Sequence, residues 1–150
     1  MGLVVLPVLK VTAKTKHDKF PPSNLIDGNP NTFYASSGRK TVQPWVKLEL
    51  QPGSVVYGVK ITNRVNCCGE RLSDVEVRVG DETVTVQNQH GLSSNKLCGT
   101  FDGPGTNGEV VRIECSEPIS GMYITIQIKD RSVEQMNIGE VEAFGTNAGK

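Results

Sequence analysis

The chain has 150 residues, and Lys+Arg 16 balance Asp+Glu 16 for a formal net charge of zero. That length suits a single domain over residues 1–150 with a substantial core. The balanced charge, without a basic run, excludes a nucleic-acid groove or an anionic membrane patch as the expected partner, and no apolar run is long enough to insert in a membrane. Apolar residues make up 37%, below the usual globular share. Gly 16 and Pro 8 break the chain often, which predicts many short strands with one solvated face.

Taken in order, Met1 to Val11 reads weakly as a signal peptide. It lacks a basic n-region, Pro7 interrupts it and no small-residue cleavage site follows. The expectation is the start of a mature domain. His17 reads as a solvated loop residue. Asn24-Leu25-Ile26-Asp27-Gly28-Asn29 is rich in oxygen donors around a glycine. It reads either as an Asx-rich turn or as part of a hard-cation site. Trp45 reads as a core residue of the following strand.

Strands are expected at Val46–Leu50, Val55–Thr62, Asp74–Val79, Thr83–Gln87, Glu109–Glu114, Met122–Ile128 and Ile138–Phe144, bounded by turn-formers such as Gln51-Pro52-Gly53 and Gly103-Pro104-Gly105. Val75 to Val79 and Tyr123 to Ile128 alternate with period two, the mark of a half-buried strand. Arg78 and Arg112 read as outward strand residues. No window holds helical periodicity beyond two turns, and Thr146 to Lys150 reads as a tail. Seven or more short antiparallel strands in one domain predict an all-β sandwich or jelly roll.

The four cysteines, Cys67, Cys68, Cys98 and Cys115, allow three pairings. Cys67–Cys68 with Cys98–Cys115 is favoured, the second pair bracketing a Gly/Asn-rich stretch, Gly99 to Gly108, read as a loop between strands. A zinc site is the rival, but contiguous cysteines begin tetrahedral ligation poorly and neither His17 nor His90 has finger spacing. Disulfides point to an oxidising, extracellular compartment.

The most telling segment is Asn63-Arg64-Val65-Asn66-Cys67-Cys68-Gly69-Glu70-Arg71. A bridge between adjacent cysteines closes a strained ring outside ordinary disulfide geometry, and that ring is a flat apolar ledge. Arginine is a fork of five N–H donors without an acceptor. Two forks beside an apolar ledge suit a pyranose, with its polar edges and apolar face. The plainer alternative is two surface arginines flanking a structural cysteine pair.

These pieces together resemble the F-type lectins (fucolectins). The resemblance covers nearly the whole chain: the early Asn24 to Asn29 segment, Pro44-Trp45-Val46-Lys47-Leu48, Ile61 to Arg71, Glu76 to Gly80, Cys98 with Cys115, and the closing Ile138-Gly139-Glu140-Val141-Glu142. It implies a jelly-roll β-sandwich, discoidin-like, of about eight or nine antiparallel strands, with loops at one end forming the site. It implies a non-catalytic lectin for terminal L-fucose or a related sugar. Arg64 and Arg71 would be the donors, Cys67 and Cys68 the ledge, and Phe33 or Tyr34 the pocket for the sugar's methyl. A structural calcium would take Asn24, Asp27 and Asn29, a backbone oxygen near Ser37, the Gly139 carbonyl and the Glu140 carboxylate.

Two departures from the family pattern stand out. The segment from Ala35 to Gln43 is short and lacks the family's histidine, leaving Arg39, Lys40 or Ser37 to supply that donor. Asn66 replaces an aspartate that would hold Arg64 by a charged pair. The rival function is an adhesion or recognition module of the same fold with lost or altered sugar specificity. Expected partners are fucosylated or related glycans, with avidity from a homo-oligomer or tandem domains.

Overall fold

A computed structural model describes residues 2–37, 41–83, 93–130 and 135–147. Two antiparallel sheets form the frame. One sheet is β1 (Val4–Leu6), β11 (Glu140–Asn147), β5 (Ser54–Thr62) and β8 (Val110–Ser120), in that spatial order. The other is β2 (Val8–Ala13), β4 (Trp45–Leu50), β9 (Tyr123–Ile128), β6 (Val75–Gly80) and β7 (Lys96–Phe101). A short pair, β3 (Tyr34–Ala35) with β10 (Asn137–Ile138), lies beside them. This is the jelly-roll sandwich anticipated from the strand pattern, with more strands than expected.

Alternation decides which side chains meet between the sheets. Val46, Leu48 and Leu50 of β4, Val75, Val77 and Val79 of β6, and Ile124, Ile126 and Ile128 of β9 point inward and are buried. They face Val56, Val59 and Ile61 of β5, Val111 and Ile113 of β8, and Val141 and Ala143 of β11 in one continuous cluster. Each such side chain contributes roughly 1.5–3 kcal/mol through burial. Trp45 is buried at the start of β4.

Several expectations are corrected. The opening segment forms β1 and β2, which pair with β11 and β4 in different sheets; Pro7 marks the crossing. These strands carry exposed Val4, Val5 and Leu9, so no alternation betrayed them. Gly99 to Phe101 is strand, not loop: β7 pairs with β6 at the edge of its sheet. A Cβ on Gly99 would lie 2.7 Å from the Ile113 side chain, so glycine lets the sheets close there. The Cys98–Cys115 bond is formed beside it and joins β7 to β8, one strand from each sheet. Thr146 and Asn147 are paired in β11 with Val55 and Ser54, so the tail begins later than expected. Most of the expected Thr83–Gln87 strand, and His90, lie outside the described residues.

The outer face of the five-stranded sheet is also less solvated than period two suggests. Glu76 and Gln127 are only 3% and 1% exposed. Glu76 is held by Arg78 Nε at 2.8 Å, and Gln127 Oε1 accepts from the Ser93 N–H. Glu76 and Gln127 thus stay satisfied beneath cover, whereas Thr125 Oγ1 and Trp45 Nε1 of the same sheet are buried without a hydrogen-bond partner among the described residues.

Candidate functional site

The loops after β2, β5, β7 and β9 meet at one end of the sandwich, and Asn63 clamps the loop after β5 to the loop after β7. It is fully buried. Its side-chain Nδ2 donates to the Gly69 and Thr106 carbonyls at 2.9 and 2.8 Å. Its Oδ1 accepts from the Arg64 N–H, and its own N–H donates to the Glu109 carbonyl. Gly69 N–H in turn donates to Asn107 Oδ1. A Cβ at Gly69 would lie 2.4 Å from the Thr106 backbone, so only glycine permits this approach. The 63–71 segment is therefore locked onto the 102–109 loop.

Within that segment the Cys67–Cys68 bond is formed. Cys68 sits in the left-handed region at φ 67° and turns the chain into the short 3₁₀ turn Gly69–Arg71. Arg71 N–H donates to the Cys68 carbonyl. The ring and the second arginine are thus consecutive parts of one turn.

The two arginines converge on a residue that sequence reading missed, Asn137. Its Oδ1 accepts from Arg71 Nη1 at 3.1 Å and from Arg64 Nη1 at 3.4 Å. Its Nδ2 donates to Gln135 Oε1 and the Met136 carbonyl, which orients the amide oxygen toward the guanidinium groups. Gln135 Oε1 also accepts from Arg71 Nη1 at 2.9 Å, and its amide donates to the Ser36 carbonyl. Asn66 Oδ1 accepts from Arg64 Nε at 2.8 Å. Burial, and then the charge of Arg71, hold the Arg64 pKa below its ordinary value.

Phe33 and Tyr34 separate. The Arg64 guanidinium lies 3.8 Å from the centre of the Phe33 ring, and Phe20 stacks on that ring at 4.3 Å. Sandwiched and 8% exposed, Phe33 braces Arg64 by a cation–π contact. Tyr34 is 0% exposed, with its hydroxyl donating to the Thr15 carbonyl at 2.6 Å. Its ring belongs to the core, which corrects its expected place in the methyl pocket. His17, read as a solvated loop residue, is half-buried and packs on Phe20 at 5.0 Å. It thereby ends a row of rings leading to Arg64. Arg39 and Lys40 lie outside the described residues. Ser37 bonds to Thr15 and Thr41.

The second constellation lies where the early loop meets β11. Glu140 Oε2 accepts from the Gly28 N–H at 3.0 Å. Its other oxygen, Oε1, is buried without a hydrogen-bond partner. Burial raises the Glu140 pKa; the Gly28 bond opposes this, and the Asp27 charge adds to it. At Asp27 burial pushes upward, but bonds from Thr32 and Asn29 prevail and its pKa is lowered. Asn24 Nδ2 donates to the Phe33 carbonyl and Asn29 Oδ1 accepts from Asn31. Gly139 N–H donates to the Thr62 carbonyl. Among the described residues no three His, Cys, Asp or Glu side chains cluster. A cation here would rely on two carboxylates and neutral oxygens.

Residues 24–126 match the family model described as "NedA-like, galactose-binding domain". Fucolectin-6 of Anguilla japonica is 35% identical over 124 residues, covering 80% of this chain and 61% of that protein. The fucolectin of Anguilla anguilla is 32% identical over 124 residues, covering 80% and 73%. The crystal structure of the f-lectin (fucolectin) from Morone saxatilis (striped bass) serum superimposes with a TM-score of 0.78 at 25% identity, covering 94% of this chain and 48% of that one. The chain thus spans less than two thirds of the Anguilla japonica relative and about half of the bass protein. The family model places the chain among NedA-like, galactose-binding domains, and by the Anguilla anguilla relative, covered to 73%, it belongs to the F-type lectins, a family of non-catalytic carbohydrate-binding domains.

Proposed function

We propose that this domain is an extracellular lectin that takes a terminal L-fucose, or a closely related sugar, against Arg64, Arg71 and the Cys67–Cys68 ring. The observation that carries this reading is the convergence of both guanidinium groups on one amide oxygen beside the vicinal disulfide. Arg64 spends its Nε–H and one Nη1–H on amide oxygens, and the rest of its five-donor fork serves hydroxyls and a ring oxygen. The disulfide ring supplies apolar surface for a sugar face. Two disulfides suit an oxidising compartment. A glycan array followed by titration with fucose tests the reading. A folded protein that binds no glycan at millimolar sugar would instead support an adhesion module built on the same sandwich.

The site also bears on reduction. A bond between neighbouring residues removes little chain entropy, so mild reduction is expected to weaken glycan binding before it unfolds the domain. Binding and circular dichroism followed together check this. Two free thiols at Cys67 and Cys68 in native protein would contradict it.

We further propose that calcium braces the fold between Asp27 and Glu140. The orphaned buried Glu140 Oε1 next to a second carboxylate fits a hard cation. Asn24, Asn29 and Gly139 would add neutral oxygens. The ion would supply the positive charge that these carboxylates lack and would tie the early loop to the last strand. An ion bound by the native state alone raises stability by mass action. Chelation is therefore expected to lower the melting temperature, and Glu140→Gln to abolish that difference. Equal melting with calcium and with chelator would remove the assignment.

A further inference from the structure

We infer that this lectin site favours a sugar carrying an anionic substituent, a sulfate ester or a carboxylate, seated against Arg64; the inference rests on the site proposed above. Arg64 is a buried-side cation whose side-chain bonds end on neutral amide oxygens, Asn66 Oδ1 at 2.8 Å and Asn137 Oδ1 at 3.4 Å. Its third neighbour is the π face of Phe33 at 3.8 Å. An amide oxygen aligns a guanidinium without cancelling its charge, whereas a carboxylate does both. Among the described residues the charge that acts on Arg64 is another cation, Arg71, which shares the Asn137 acceptor.

A neutral sugar placed here receives hydrogen bonds but leaves that charge unanswered. A sulfate or carboxylate accepts the same N–H groups through charged oxygens, and such bonds are about twice as strong as neutral ones. Asn66 is exposed and takes the Nε–H, so an anion approaching the Nη groups of Arg64 from solvent passes an amide instead of a repelling carboxylate. Asn66 is in this sense a specificity-determining residue: it leaves the anion's place open.

The test compares neutral and acidic probes by titration of the intact domain at low and high salt. Methyl α-L-fucoside is set against its 3-sulfate, and galactose against galacturonic acid. The two pairs separate the ester from the carboxylate as the source of charge. At least one acidic probe is expected to bind about tenfold more tightly than its parent at low ionic strength. The advantage should shrink as salt screens the contact. Asn66→Asp, a surface change, should reduce the ratio of acidic to neutral affinity severalfold. If the neutral parents bind at least as well at low salt, or the ratio is unchanged in Asn66→Asp, the inference is overturned while the lectin reading stands. If no probe binds, the lectin reading falls and the inference falls with it.

Discussion

Replacing Arg71 with alanine is expected to weaken glycan binding ten- to a hundredfold, and Arg64→Ala to do the same. Each removes charge-assisted donors worth ~1.5–3 kcal/mol. The loss of Arg71 also removes one of two donors from Gln135 Oε1 and from Asn137 Oδ1, which it holds at 2.9 and 3.1 Å, so the acceptor that aligns Arg64 loosens too. Arg64→Lys should fail nearly as badly. Lysine keeps the charge but cannot donate to Asn66 and Asn137 through one rigid fork, nor lie flat on Phe33. Monosaccharide affinity starts weak, because a small ligand makes few contacts. The comparison is best made with a multivalent glycan surface and checked by titration. An Arg71→Ala protein that binds as the parent does would place the sugar elsewhere on the fold.

Asn63→Ala is expected to be the most damaging polar substitution in the site, at about 3 kcal/mol of stability, or roughly 6–12 °C in melting temperature. The side chain is fully buried and closes three hydrogen bonds, to Gly69, Thr106 and Arg64. Truncation leaves the Arg64 N–H without its partner and takes one of two bonds from each carbonyl, since Gly69 still accepts from Leu72 and Thr106 from Glu109. It also releases the turn carrying Cys67, Cys68 and Arg71 from the 102–109 loop, so binding should fall well below the melting temperature. Asn66→Ala makes the contrast. It is three residues away and exposed, with one bond to a side chain, and should change stability by less than about 0.5 kcal/mol. Urea unfolding of the two variants checks the pair. Equal midpoints would show that Asn63 is not the clamp.

The distinction between these asparagines shows where sequence reading stops. Both stand in the same nine-residue segment, and nothing local separates a buried clamp from a surface ligand to Arg64. Their roles follow from Thr106 and Glu109, more than 40 residues on. Asn137 is the sharper case. It lies 73 residues from Arg64 and 66 from Arg71, just before the closing Ile138 to Glu142 segment, and nothing local marks it as the residue on which the site converges. Phe33 and Tyr34 are neighbours at the entry to β3, yet their rings go to different places, one to Arg64 and one to the core.

What the sequence alone determined were the features set by covalent neighbours and by period. Alternating Val and Ile runs make strands because side chains fall on opposite faces every residue, and many such runs in one chain leave a sandwich as the way to bury them. Adjacent cysteines between two arginines are a local fact; the pairing of Cys98 with Cys115 was the favoured one of three, and the structure closes it. Only the tertiary structure decided the partners of the exposed strands β1 and β2, the cover over Glu76 and Gln127, the burial of Tyr34 and the gathering of Asn137, Gln135 and Phe33 about the arginines. Each depends on contacts between segments distant in the chain, where hydrogen-bond geometry and close packing choose among residues that look alike in their local sequence.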